Sequence, residues 1–323
     1  MNHTLLRCCA ALLLIGFGLF WHKPAQAAVV TCTATMSNVN FNGVDPQSSQ
    51  TDITGTLNYS CTDIDNNPQT VSLCFNLLGQ NTDPRLMNDG NGDTLKFQLY
   101  TDTARTQVWG NSGFGTQAQG FLLQIPSGGN AQGTTTIYAR VLGGQTAAVT
   151  GNYIDTFPAG QTTFTFTTHN GGGTPPPSCA ASGTPGTFNG FTVTANVTAQ
   201  CTVNASTLDF GPVGLLTAAI GQSSTVSVQC ATGIAYNVGL DGGQNSGGNI
   251  NARKMVLGAN SVAYQLYRDS GRTQVWGNTV ATNTVAGTGT GSAQPFTVYG
   301  NVPAQTTPPA GTYQDTVIVS VTY

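Results

Sequence analysis

The chain has 323 residues, only 7% of them charged, with a formal net charge of −3. All thirteen acidic residues are aspartate, and after position 27 the only lysines are Lys96 and Lys254. No basic field is available to hold phosphates, which excludes nucleic acid as a partner. Abundant Gly, Thr, Ser and Asn, with few Lys and no Glu, favour pleated strands over helices.

In chain order, the first element is a leader. Arg7 precedes the apolar run "CCAALLLIGFGLFW", and "AQA" at 25–27 offers small residues for cleavage, so 1–27 reads as a secretory signal peptide. Cys8 and Cys9 lie within the apolar run and away from the cleavage point, which argues against a lipid anchor. No later stretch is apolar enough to span a membrane as a helix. The mature chain is therefore expected to be exported into an oxidising space, where disulfides persist.

Six cysteines remain. Cys32 and Cys61 are 29 residues apart, as are Cys201 and Cys230, and the matching intervals predict the bridges Cys32–Cys61 and Cys201–Cys230. Cys74 and Cys179 have no counterpart in the other half; they pair with each other or remain free thiols.

Beyond Cys32, period-2 alternation marks strands wherever the pattern is legible. "GTLNYSCT" (55–62) places Leu57, Tyr59 and Cys61 on one face, and "TTFTFTT" (162–168) alternates Phe with Thr. "TVIVSVTY" (316–323) does the same with Val317, Val319, Val321 and Tyr323. Turn clusters interrupt these runs. One of them, "DGNGD", sets Asp89, Asn91 and Asp93 at calcium-loop spacing, but Thr94 stands where the loop needs glycine and no carboxylate follows at position 12. A hairpin turn explains the same letters, and no metal site is expected.

"QLYTDTARTQVWGN" (98–111) returns as "QLYRDSGRTQVWGN" (265–278), with eleven of fourteen positions identical. "GNYIDTF" (151–157) likewise returns as "GTYQDTV" (311–317). Order and spacing are kept over whole halves, so a domain has been duplicated. The repeated phrase reads as a hairpin with Phe97 and Leu99 inward and Trp109 and Trp276 as core anchors. Many short strands and one cysteine pair per domain predict an all-β chain of two tandem immunoglobulin-like sandwiches. His169 sits in a Gly-rich setting, and no nucleophile elbow accompanies it, so no catalytic residues and no cofactor are expected.

"CTVNASTLDFG" (201–211), the "QLYRDSGRTQVWG" phrase and "AGTYQDTVIVSVTY" (310–323) resemble the spore coat protein U domain, over two copies spanning 29–323. The second copy is the closer match. The first departs where "FPAGQ" (157–161) interrupts its last strand and where Cys74 replaces a non-cysteine position. The resemblance implies subunits of archaic chaperone–usher pili, secreted fibres associated with biofilm, whose pilin-type domains lack a last strand and borrow one.

On that basis the C-terminal domain, 200–323, is expected to be incomplete, since the sequence stops directly after "TVIVSVTY"; Val317, Val319 and Val321 would line its acceptor groove. The segment before Cys201, 188–199, has the donor pattern, with Phe191, Val193, Ala195 and Val197 alternating with polar residues. It is expected to close the N-terminal domain, 28–170, within the same chain, running antiparallel to its final strand. The Gly/Pro-rich stretch 171–187 would be the loop leading into it. Before Cys32 stand only the four residues "AVVT", too short a donor. A subunit that accepts a strand without giving one belongs at the fibre tip.

The implied partners are a periplasmic pilus chaperone, an outer-membrane usher, the N-terminal donor strand of the next pilin subunit, and an abiotic or host surface. Surface binding is expected through Ile64, Phe114 and Pro175, Pro176 and Pro177, on three connections (62–69, 110–120 and 169–187) at the distal end. The alternative is a structural coat or extracellular matrix protein with the same fold and no adhesive role.

Overall fold

The computed structural model describes residues 30–64, 67–111, 113–115, 122–170 and 183–323. The signal peptide, Cys179 and Pro175–Pro177 lie outside the described residues. Those described form strands, turns and loops, with no α-helix among them.

The N-terminal domain comprises β1 (Val30–Met36), β2 (Val39–Val44), β3 (Gln50–Asp63), β4 (Gln69–Leu77), β5 (Arg85–Asn88) and β6 (Thr94–Tyr100). It continues with β7 (Leu122–Ile125), β8 (Asn130–Leu142), β9 (Gly151–Phe157), β10 (Thr162–Asn170), β11 (Thr184–Phe188) and β12 (Phe191–Val197). Their hydrogen-bonded order is β2-β12-β9-β5-β6-β8-β3-β1-β11-β10-β4-β7, wrapped around one core. The alternation read from the letters is the alternation of the core. Cys32, Ala34 and Met36 of β1 point inward with Leu57, Tyr59 and Cys61 of β3, and Phe164 of β10 packs against its cross-strand partner Phe75 of β4 and against Phe166.

The C-terminal domain holds β13 (Cys201–Ala205), β14 (Ile220–Cys230), β15 (Ala235–Leu240), β16 (Lys254–Leu257), β17 (Asn260–Ala263), β18 (Gln265–Tyr267), β19 (Val285–Thr288), β20 (Gln294–Val302) and β21 (Val319–Thr322). One sheet is ordered β13-β14-β20-β18 and the facing sheet β19-β15-β21, beside the hairpin β16–β17. In each domain the two bridged cysteines are directly opposite across the first strand pair: Cys32 faces Cys61 and Cys201 faces Cys230, both with Cα atoms 4.1 Å apart. Gln47 Nε2 of the first domain donates to the carbonyls of Gln200 and Gln229, where the two domains meet.

The repeated phrase is architecture built on a residue that sequence reasoning passed over. Arg85 and Arg253 are fully buried. Arg85 donates to Gln98 Oε1 and to the carbonyl of Trp109 (2.8 Å), while Trp109 Nε1 donates to the carbonyl of Phe75 (3.1 Å). The second copy repeats this: Arg253 reaches Gln265 Oε1 (2.7 Å) and the carbonyls of Trp276 (2.8 Å), Leu240 (3.0 Å) and Asp241 (2.9 Å). A guanidinium supplies the several fixed donors that these inward carbonyls require. The turn between Gln and Trp is held by Asp102 and Asp269, whose carboxylates accept from the backbone N–H of Gln107 and Gln274, both at 2.7 Å. Arg253→Met keeps the volume but strands the acceptors. It is expected to cost about 3 kcal/mol or more in denaturant unfolding, because each buried acceptor left unpaired costs about 1–3 kcal/mol.

The 171–187 stretch, expected to be a loop throughout, is not loop to its end, because Thr184–Phe188 is the strand β11, parallel to β1 and antiparallel to β10. The punctuating residues have a packing use instead. A Cβ on Gly186 would stand 2.0 Å from the Phe164 ring, so only glycine lets the strand lie across that aromatic.

Candidate strand-acceptor grooves

Each sandwich has a seam where its first strands, broken in two, should meet its last. In the N-terminal domain the seam is filled by a single extended segment. β11 lies between β1 and β10, and β12 lies between β2 and β9, parallel to β2 and antiparallel to β9. Val193 stands opposite Val39 and Asp155, and Ala195 opposite Phe41 and Tyr153. Phe191, Val193, Ala195 and Val197 are all buried. Phe191 stacks on Trp109 (centroids 6.0 Å) and on Phe157 (4.9 Å), joining the segment to the aromatic core. Thr162 Oγ1 donates to the carbonyl of Phe188 (3.2 Å), and Asn38 Oδ1 accepts from Thr192 N–H (3.0 Å).

The seam of the C-terminal domain holds no such strand among the described residues. β21 is the edge of its sheet, and β13 the edge of the other. Matched positions of the two copies differ in exposure accordingly. Val39 and Phe41 are fully buried, whereas Leu208 and Phe210, 169 positions on in each case, are half-exposed. Ala34 is 2% exposed and its counterpart Val203 is 39% exposed. Tyr153 and Phe157 are buried, and Tyr313 and Val317 half-exposed. Two adjoining clefts occupy the gap, of about 720 and 560 Å³. Leu208, Phe210, Met255 and Tyr313 border both, and Val317 and Val319 line the second. Val321 is half-buried against the core without lining either cleft.

Each seam also carries one aspartate at the same place in "NYID" and "TYQD". Asp315 accepts from Tyr264 Oη (2.6 Å) and from Asn245 Nδ2 (2.8 Å). Burial, then this hydrogen bond to the carboxylate, hold the Tyr264 hydroxyl well above the ordinary phenol range. In the first copy Phe97 replaces that tyrosine, and Asp155 Oδ2 has no hydrogen-bond partner. Burial pushes the Asp155 carboxyl up to about 6, against smaller opposing effects of the Thr156 N–H and the Arg85 charge. Burial likewise lowers Arg85 to about 10.

This raised carboxyl makes stability depend on pH. Where both states are protonated, Asp155 costs nothing. As pH rises from 3.8 to about 6 the unfolded chain ionises first, so the folded domain loses stability, and the loss is complete above about 6. Asp155→Asn is expected to raise Tm at pH 7.5 by roughly 2–4 °C, with the gap closing by pH 4. A gap independent of pH in scanning calorimetry would contradict this.

Of the expected surface residues, the two that are described, Ile64 and Phe114, are not brought together. Ile64 is 70% exposed beside the Gln69 end of β4. Phe114 is half-buried, hydrogen-bonded back to Asn111, with its ring 5.8 Å from the Arg85 guanidinium carbon. The neighbouring Gly110 carbonyl accepts from Leu77 N–H, at the opposite end of β4, roughly 26 Å along the strand from Gln69. The tight Asn111–Phe114 turn over the buried arginine therefore keeps Phe114 near the Leu77 end of β4, away from Ile64. Cys74 is buried and disulfide-bonded. In the "DGNGD" turn Asp89 Oδ1 accepts from the N–H groups of Asn91, Gly92 and Asp93, closing the β5–β6 hairpin.

The described residues form two tandem pilin-type β-sandwiches, one with its seam filled and one with its seam open. The Spore Coat Protein U domain matches residues 23–160 and 187–320, and the chain belongs to that family. It is 34% identical over 146 residues to Protein U of Myxococcus xanthus, covering 40% of this chain and 80% of that protein. The fold is also similar to a crystal structure of the CsuC–CsuE chaperone–tip adhesion subunit pre-assembly complex from the archaic chaperone-usher Csu pili of Acinetobacter baumannii. That match has 15% identity and a TM-score of 0.54, and covers 91% of this chain and 100% of the other.

Proposed function

We propose that the chain is a non-catalytic tip subunit of a secreted chaperone–usher pilus, assembled by strand complementation and mediating surface attachment in biofilm. The observation that carries this reading is the contrast between matched positions. Val39 and Phe41 are covered by β12, while Leu208 and Phe210 face open clefts. An unpaired strand edge beside an apolar groove is a place for another chain's extended segment. The N-terminal domain supplies its own segment, so it needs no neighbour. The C-terminal domain would take the N-terminal donor strand of the next pilin subunit, after a periplasmic chaperone has held the groove and an outer-membrane usher has exchanged it. The Spore Coat Protein U domain and the disulfides support a secreted destination.

The distal end of the N-terminal domain would make the surface contact, with Ile64 as its exposed apolar residue. Ile64→Asp is expected to lower attachment of piliated cells to plastic several-fold while pilus number is unchanged. Co-expression with the cognate chaperone should yield a one-to-one complex in which Phe210→Asp prevents capture. A chain recovered as a stable monomer without any chaperone would favour the structural coat reading, to which the family's name points.

A further inference from the structure

We propose that the outer face of β1, β3 and β8 is a binding surface for neutral polysaccharide, separate from the distal end and from the open seam. Register sets the side chains of this face in straight rows. Thr33, Ser60 and Gln132 form one row, extended by Thr187 of β11, and Thr35, Asn58 and Thr134 form the next. Rows lie roughly 7 Å apart along the strands, with neighbours about 4.8 Å apart across them. A shallow concavity of about 410 Å³ lies over these two rows, lined by these six residues of β1, β3 and β8 and, between them, by Ala34, Tyr59 and Gly133, of which Ala34 and Tyr59 turn their side chains into the core. Five of the six are exposed and Ser60 is half-buried. Among the described residues none of the six side chains hydrogen-bonds another residue, so their donors and acceptors face outward unspent.

The chemistry of the lining selects the occupant. Every one of the six outward side chains is a hydroxyl or a primary amide, able both to donate and to accept. The outward side chains offer a lipid or apolar peptide nothing apolar, since Ala34 and Tyr59 beneath them are buried, and they offer a charged polymer no counter-charge. Of the charges on the same strands, Asp63 is buried, and Asp52 and Arg140 lie toward the other end of the face in a bidentate pair at 2.7 and 2.8 Å, with Arg105 3.5 Å from the same carboxylate. Sugar hydroxyls are likewise donors and acceptors at once. A polysaccharide can follow the rows and gain many weak hydrogen bonds, none of which depends on salt.

The test uses the full chain, held in complex with its chaperone, and sedimentation with microcrystalline cellulose and cross-linked dextran, with polystyrene beads as the comparison. Wild type is expected to sediment with at least one of the two polysaccharides, undiminished by 0.5 M NaCl. Thr33→Lys with Thr134→Lys, both exposed, should keep the wild-type melting temperature and lower polysaccharide binding about tenfold or more. Ile64→Asp should leave polysaccharide binding unchanged and reduce binding to polystyrene. Absence of sedimentation with both polysaccharides, or retention by the folded double variant equal to wild type, would overturn the proposal. Loss of polysaccharide binding through Ile64→Asp would also overturn it, by moving the site to the distal end.

Discussion

Val193→Asp is expected to unfold the N-terminal domain. Val193 is fully buried, and its partners on either side are Val39 of β2 and Asp155 of β9. A carboxylate there enters apolar surroundings opposite another carboxyl that burial already holds at about 6. Neither has a cation close enough to form an ion pair among the described residues, and burying such a charge costs several kcal/mol. That is a large part of the 5–15 kcal/mol by which a domain is usually stable. Val193→Thr, of nearly the same shape, should cost only about 1–3 kcal/mol. Thr194→Asp, one residue along and on the other face, should be close to neutral. Cutting the chain after Thr168 removes β11 and β12 and should match Val193→Asp, whereas cutting after Ala199 should leave the domain folded. Protease resistance and near-ultraviolet circular dichroism distinguish these outcomes. Wild-type stability in Val193→Asp would mean that β12 contributes nothing to the core.

That experiment probes a strand whose pattern is plain in the letters, and the pattern explains which features could be read. Phe191, Val193, Ala195 and Val197 alternate because β12 has one face in the core and one in solvent, and period 2 records that. The duplicated phrase and the 29-residue cysteine spacing survive because each fixes a contact that the sandwich cannot lose. β11 is different. Pro185 and Gly186 read as breakers, and the reason for the glycine, the Phe164 ring across it, comes from another strand. Arg85 and Arg253 were equally hidden, since a lone arginine ordinarily marks a surface. Only the meeting of inward carbonyls from Trp109 or Trp276 with a Gln side chain gives a guanidinium a buried place. Phe114 looked like a loop tip because its Gly-rich neighbours suggested extension, when they permit a turn tight enough to return it onto Arg85. That Leu208 and Phe210 are the half-exposed residues of the open seam is not written in their own letters, as apolar as their buried counterparts Val39 and Phe41, because the difference lies in which segment covers them.

The open seam makes the opposite prediction: the C-terminal domain should gain stability when a strand is supplied to it. Fusing a copy of Phe188–Thr198 behind Tyr323, through a flexible linker as long as the 171–183 connection, reproduces the route by which the first domain is closed. The copied aromatics would stand near Trp276, its valine between Leu208 and Asp315, and its alanine between Phe210 and Tyr313. These positions correspond to the contacts that the same segment makes with Val39, Asp155, Phe41 and Tyr153. Each apolar side chain fully removed from water contributes about 1.5–3 kcal/mol, and a flexible tether supplies the strand at millimolar effective concentration. Even a net gain of about 3 kcal/mol, after the cost of ordering the strand, would raise Tm by roughly 10–20 °C for a domain of this size. The clefts that Leu208, Phe210, Val317 and Val319 line would close, and with them the exposed edge that promotes association between copies. The fused chain is therefore expected to be monomeric without a chaperone and to lose its affinity for one. The same fusion with aspartate in place of the copied valine should show none of these changes. If the unmodified fusion melts where the wild-type chain does, the seam is already complete and the assembly reading fails.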